Sequence, residues 1–235
     1  LALGYAADLA FGDPRRWHPV AGFGRAAGAV ERRLWADSRL LGAAHVAVCV
    51  GACVGAGLLA QRLARRYPVA ETVLIGLSTW TVLGGRSLRA EGRAMHRLLI
   101  DDDLDGSRRR LSHLAGRNPD GLGPDDLARA TVESLAENTS DAVVAPLWWA
   151  AVAGVPGLVG YRAVNTLDAM IGHRSPRYER YGWCAARLDD VANLVPARIC
   201  AALAAAAAPL VGGSPRAALR AWRRDAGRHP SPNAG

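Results

Sequence analysis

The sequence contains no lysine: all 29 basic residues are arginine, against 21 acidic residues, for a formal net charge of +8 over 235 residues. That absence excludes Schiff-base chemistry and a lysine-cradled phosphate. Any phosphate must be held by arginine, by a helix N-terminus or by a bound cation. Cysteine is scarce, with four residues and no CxxC pair, so a disulfide framework is excluded. Cys49 and Cys53 stand four apart in an apolar run and are expected on one helix face as small buried hydrophobes. The GxxxxGK[ST], HExxH, GxSxG and GxGxxG signatures are all missing. The first residues show no basic segment ahead of an apolar stretch and no cleavage site. Alternating apolar and polar positions are essentially lacking, so an all-α fold is expected.

Apolar length is what the chain has instead. Half of its residues are hydrophobic and 21% are charged, with a mean hydropathy of +0.04. This composition excludes disorder. A pI of 10.1 invites a nucleic-acid reading. The arginines are spread along the chain and interleaved with acids between apolar stretches. That pattern suits a polytopic integral membrane helical protein, and no nucleic-acid partner is expected.

Four apolar segments organise a single membrane domain over residues 1–235. Residues 40–61 carry no formal charge and would span roughly 33 Å as a helix, enough for the hydrocarbon core. Gly51 and Gly55 within it form a GxxxG pair suited to close helix approach. Residues 69–85 are expected to return across the membrane as the second limb of a hairpin. Residues 142–161 form the third segment, interrupted by Gly154-Val155-Pro156-Gly157. Residues 199–213 form a fourth, short for a span. Residues 1–10 read as the end of a further apolar helix. Polar regions fill 12–39, 86–141, 162–198 and 214–235. Helices are expected over 21–35, 86–100, 107–114 and 124–138, the last with Pro124 in its first turn.

Three polar clusters lie against these segments. Glu133 and Glu137 share a helix face, where like charges repel unless a cation lies between them, and Asp141 follows at the edge of an apolar run. They read either as a solvated face or as a carboxylate cluster for Mg²⁺, which prefers oxygen ligands shared with phosphates. Arg162, Asn165 and Asp168 recur on a loosely shared helix face, as an interfacial anchor or as a pocket lining. Asp189, Asp190, Asn193 and Arg198 precede the fourth segment, as a helix N-terminal signal or as a metal-nucleotide site. His18, His229 and Asn233 are weaker signals taken alone. Intramembrane polar residues and broken helices also fit a transporter or permease-like protein without ligase activity.

Taken in order, these residues resemble the CobD/CbiB family of cobalamin biosynthesis. The resemblance rests on Gly12-Asp13-Pro14 with His18-Pro19, Arg86-Ser87-Leu88 with Glu91, and Val132-Glu133-Ser134 with Ala136-Glu137-Asn138 and Asp141. It continues through Ala145-Pro146-Leu147, Tyr161-Arg162-Ala163, Asn165-Thr166-Leu167-Asp168 with Met170, Ala186-Arg187-Leu188-Asp189-Asp190, Pro196-Ala197-Arg198 and His229-Pro230-Ser231-Pro232-Asn233-Ala234-Gly235. Each motif is weak, and their number and order make the match specific.

The resemblance implies an adenosylcobinamide-phosphate synthase in the bacterial inner membrane. Such an enzyme joins aminopropanol, or its phosphate, to a propionate carboxylate of adenosylcobyric acid, using ATP and Mg²⁺. Its partners would be these substrates, the lipid bilayer and other cobalamin-assembly membrane enzymes. Family members continue past the closing motif, so the resemblance also implies a piece lacking the C-terminal part. The expected catalytic set is Glu133, Glu137, Asp141, Arg162, Asn165, Asp168 and His18. Substrate would be bound by Arg187, Arg198, Asn193, His229 and Asn233. Mg²⁺ would be held by Glu133, Glu137, Asp189 and Asp190.

One active site requires the polar regions to meet. Residues 142–153 would extend roughly 18 Å as a helix, too short to cross the hydrocarbon core. A re-entrant or broken helical hairpin is therefore expected at 142–161, with its turn at 154–157 buried in protein and Asp141 and Arg162 at one mouth.

Overall fold

The computed structural model describes residues 1–14, 18–114 and 120–226. Among them there is no strand. The α-helices are α1 (Ala2–Phe11), α2 (Pro19–Leu34), α3 (Arg39–Ala64), α4 (Pro68–Val82), α5 (Gly85–Ile100), α6 (Leu104–Leu114), α7 (Pro124–Thr139), α8 (Ala145–Leu167), α9 (Trp183–Ala207) and α10 (Pro215–Asp225). Two π-helical turns, Ser140–Val144 and Asp168–Gly172, bracket α8.

Among the described residues, three stretches are long and apolar enough to cross a membrane: Arg39–Ala64, Pro124–Gly172 and Trp183–Val211. Large apolar side chains point outward from them, among them Val48, Leu58 and Leu63 on α3 and Val191, Val195 and Leu203 on α9. Surface of this kind belongs against lipid. α4 departs from expectation. At 15 residues it extends about 22 Å, less than the hydrocarbon core, because Leu83 and Gly84 leave the helix. α9 also differs: it runs unbroken through the boundary at residue 198, with Pro196 inside it, so the third polar cluster and the fourth apolar segment share one helix. Asp189 and Asp190 therefore lie well inside α9 and are not its N-terminal signal.

α8 reverses on itself. Gly154 has φ 65° and ψ −150°, a conformation open essentially to glycine alone. A Cβ on Gly157 would fall 2.3 Å from the Trp149 carbonyl oxygen, so the chain after the turn lies directly against the chain before it. The two arms, 145–153 and 155–167, form a helical hairpin. Val155 and Pro156 in its turn are buried. Gln61 Oε1 accepts a hydrogen bond from the Val155 backbone N–H at 3.1 Å and so satisfies a donor that the turn frees. The broken helical hairpin expected from the Gly-Pro break is the one observed.

α3 lies along the second arm in antiparallel sense. Gly57 meets Pro156 and Gly160 meets Val54, while Leu167 and Ile171 pack with Val46 and Cys49. The close approach uses Gly57 and not the Gly51 and Gly55 pair, whose Cβ positions face open space. Cys49 is buried and Cys53 half-buried, both as free thiols. α5, α6 and α7 form a separate small core of Met95, Leu111, Leu127 and Ala130 beside the open end of the hairpin. The two are joined where Gly84 N–H donates to the Ala142 carbonyl at 3.2 Å.

Candidate functional site

The site forms where the hairpin opens. Asp141 sits in the first π turn and Asp168 begins the second. Such turns insert a residue into the helical ladder and re-aim side chains, which is why they recur at functional positions. Gly172 closes the second π turn: a Cβ there would lie 1.9 Å from Asp168 Oδ1.

Tyr161 and Asn165 stand one turn apart on the second arm, and Asp189 and Asn193 one turn apart on α9. The helices run antiparallel, so each pair faces the other in register. Tyr161 Oη donates to Asn193 Oδ1 at 2.9 Å and lies 3.4 Å from Asp141 Oδ1. Asn193 Nδ2 donates to Asp189 Oδ2 at 3.0 Å, and Asn165 Nδ2 donates to Asp189 Oδ1 at 3.5 Å. Arg162 Nη1 donates to Asn165 Oδ1 at 3.3 Å. The first arm is anchored to the same stretch of α9 by Trp149 Nε1, which donates to the Ala192 carbonyl at 3.0 Å. A chain of polar contacts thus runs from Asp141 to Arg162 through three elements.

Asn193 is buried, while Asp141, Arg162, Asn165, Asp168 and Asp189 are half-buried. Asp141 and Asp168 each feel the charge of Asp189, and the exposed Glu137 reaches all three. Among the described residues no Arg or His stands at ion-pair distance from Asp141, Asp168 or Asp189. Arg162 lies within the electrostatic reach of Asp13 and Asp141, and its buried Nε has no hydrogen-bond partner there.

Other sequence candidates point elsewhere. Glu133 is exposed and pairs with Arg129 at 3.1 Å on the same helix. Asp190 pairs with Arg187 at 3.1 Å, and Arg187 is exposed. Arg198 Nη1 donates to the Leu194 carbonyl at 2.6 Å on the outer side of α9. His18 caps α2, its Nδ1 accepting from the Val20 N–H at 3.2 Å. His229 and Asn233 lie outside the described residues. Tyr161 and Gln61 carry parts the sequence reading gave no role. The signal for Tyr161 was its place one turn before Asn165. For Gln61 there was none beyond a polar residue at the end of an uncharged run.

Among the described residues no three His, Cys, Asp or Glu side chains converge into a metal cage. The oxygen chemistry nevertheless suits Mg²⁺, which takes one or two carboxylates and completes its shell with water and phosphate. Asp141 and Asp189 offer carboxylate oxygens of that kind, and the buried Arg162 Nε, which has no hydrogen-bond partner, is an N–H donor for a phosphate oxygen beside them.

These features define a helical membrane protein whose helical hairpin gathers carboxylates, amides and one arginine into a single polar site. The CobD/Cbib protein family matches residues 1–235. The chain is 57% identical over 234 residues to the cobalamin biosynthesis protein CobD of Mycobacterium tuberculosis (strain ATCC 25618 / H37Rv), covering 99% of this chain and 74% of that protein. It is 44% identical over 234 residues to the protein of the same name from Geobacter metallireducens (97% and 73% covered) and 42% identical over 235 residues to that of Rhodobacter capsulatus (97% and 74%). The chain belongs to the CobD/CbiB family, the adenosylcobinamide-phosphate synthase family of cobalamin biosynthesis. No solved structure matches it.

Proposed function

We propose that this chain performs ATP-dependent amide ligation in the bacterial inner membrane. Aminopropanol, or its phosphate, is joined to a propionate carboxylate of adenosylcobyric acid, giving adenosylcobinamide or its phosphate. The observation that carries the reading is the convergence of Asp141, Tyr161, Arg162, Asn165, Asp168, Asp189 and Asn193 at the open end of the hairpin in a member of this family.

A carboxylate and an ammonium do not condense in water without activation, and phosphorylation of the carboxylate is the simplest route. Phosphoryl transfer is mostly a matter of positioning and charge neutralisation. Bound Mg²⁺ would supply charge neutralisation on phosphate oxygens, and Asp141 and Asp189 would hold it. Arg162 presents its free Nε and a planar fork to a phosphate oxygen. Tyr161 and Asn193 fix the two aspartates relative to one another. Asp168 is left to take the proton from the ammonium. The hairpin turn, sealed by Gln61, keeps backbone polar groups away from lipid while the open end admits substrate from the polar side. The polar residues gather at one end of the hairpin and do not line it from end to end, which favours a ligase over a transporter. Other membrane enzymes of cobalamin assembly are the natural neighbours of such a protein.

The test is a turnover assay of the full-length protein in lipid with adenosylcobyric acid, ATP and Mg²⁺, offered aminopropanol and its phosphate in parallel. Formation of the amide with either amine, dependent on ATP and Mg²⁺, is expected. No amide with either would overturn the reading.

A further inference from the structure

Arg89 and Arg93 stand one turn apart on α5 and are exposed. Among the described residues neither is at ion-pair distance from a carboxylate. They form one wall of a groove of about 310 Å³ between α5 and α7, with Leu88 and Gly92 beside them and Leu135 and Thr139 opposite. The apolar floor exists because Gly92 lacks a side chain: a Cβ there would come within 3.1 Å of Leu135 Cδ1.

The groove opens beside the site. Thr139 precedes the π turn that holds Asp141 by one residue. At the other wall, α5 begins at Gly85, whose Cβ would lie 3.2 Å from Val143 Cγ2, and Gly84 bonds to Ala142. Arg89 is one turn further along α5, within the electrostatic reach of Asp8. Two of the arginines expected to bind substrate are otherwise engaged: Arg187 with Asp190, and Arg198 with a backbone carbonyl.

We propose that the groove between α5 and α7 is a subsite for a phosphate-bearing small molecule, with the phosphate held by Arg89 and Arg93 and a carbon skeleton laid over Leu88 and Leu135. Two guanidinium groups one turn apart can each offer a fork of N–H donors to the oxygens of one phosphate. The apolar opposite wall favours a compact organic phosphate over a bare inorganic ion. Under the ligase reading, on which the identity of the ligand rests, that chemistry has two sources: the phosphorylated amine and ATP.

Binding to the full-length protein in nanodiscs separates them. Calorimetric titrations would use aminopropanol phosphate, unphosphorylated aminopropanol and a non-hydrolysable ATP analogue. They would compare wild type, the double variant R89Q/R93Q and R97Q, which removes a charge further along the same helix. The double variant is expected to weaken one phosphorylated ligand about tenfold or more, to leave the unphosphorylated amine unchanged, and to be unlike R97Q. The ligand that responds identifies the source. Unchanged affinity for both phosphorylated ligands overturns the subsite. An equal loss in R97Q overturns it too, because general electrostatic attraction would then explain the effect. Weakened binding in a protein that forms no amide would retain the subsite and overturn the ligase reading instead.

Discussion

The Tyr161 hydroxyl lies 3.4 Å from Asp141 Oδ1, although 20 residues of nearly continuous helix separate them. In a straight helix they would be about 30 Å apart. The reversal at Gly154 removes that distance and brings the acid, the phenol and the residues of α9 together.

Substitution of Asn193 should expose what this convergence depends on. Its side chain accepts from Tyr161 and donates to Asp189, so Asn193→Ala takes the shorter partner from each of two polar groups and leaves them the longer contacts to Asp141 and Asn165. Each lost hydrogen bond costs about 0.5–1.5 kcal/mol. A lowered melting temperature in detergent and at least a tenfold fall in kcat are expected. Tyr161→Phe should show the same effects more weakly, since it strands only the Asn193 oxygen. Melting and turnover equal to wild type for Asn193→Ala would show that the contacts do not organise the site.

Gly154→Ala should disrupt the hairpin turn. At φ 65° and ψ −150° an alanine is strained by about 1–3 kcal/mol. The added methyl would also come within 2.7 Å of Gln61 Oε1, the atom that caps Val155. Increased proteolysis near residue 154 and loss of turnover are the expected readouts. A variant as protease-resistant as wild type would mean that the turn tolerates a side chain.

A disulfide can test the joint between the hairpin and the α5–α7 unit. A Cβ built on Gly84 lies 3.6 Å from Ala142 Cβ, within the range that disulfides span. In a background with the four native cysteines replaced, G84C/A142C should cross-link under mild oxidation, read as protection from alkylation. Free alkylation of both thiols would contradict the joint.

The carboxylates should separate by position. Asp141→Asn and Asp189→Asn remove charges that face the network, and each should lower amide formation at least a hundredfold while the protein still inserts. Glu133→Gln affects an exposed acid paired with Arg129 and should keep turnover within about twofold of wild type, as surface ion pairs contribute little. The reverse ranking would move the reaction centre onto the outer face of α7.

Much of this was legible in the residues. Uncharged runs report helices in lipid because charge is costly there, and α3 follows 40–61 closely. The break at Gly154-Val155-Pro156-Gly157 was readable too: an arm of 12 residues cannot cross, and a glycine-proline turn at its end leaves reversal as the remaining course. Asp141, Arg162, Asn165, Asp168, Asp189 and Asn193 were visible as polar residues at helical spacing against apolar runs.

What the residues alone determined was which side chains share a face of their own helix, since the 3.6-residue repeat is local. Which face meets which neighbour belongs to the tertiary structure. Glu133 and Glu137 share a helix with equal claims, yet one pairs with Arg129 and the other lies within electrostatic reach of the aspartates. Gly51 and Gly55 read as a packing pair, yet α3 presents Gly57 to the hairpin. Antiparallel packing of α8 on α9 set Tyr161 against Asn193 and Asn165 against Asp189, and no spacing within either segment encodes that register. It is decided by contacts between segments: the partners across α8 and α9 stand 32 and 24 residues apart, and Gln61, 94 residues before Val155, pins the turn that aims the second arm.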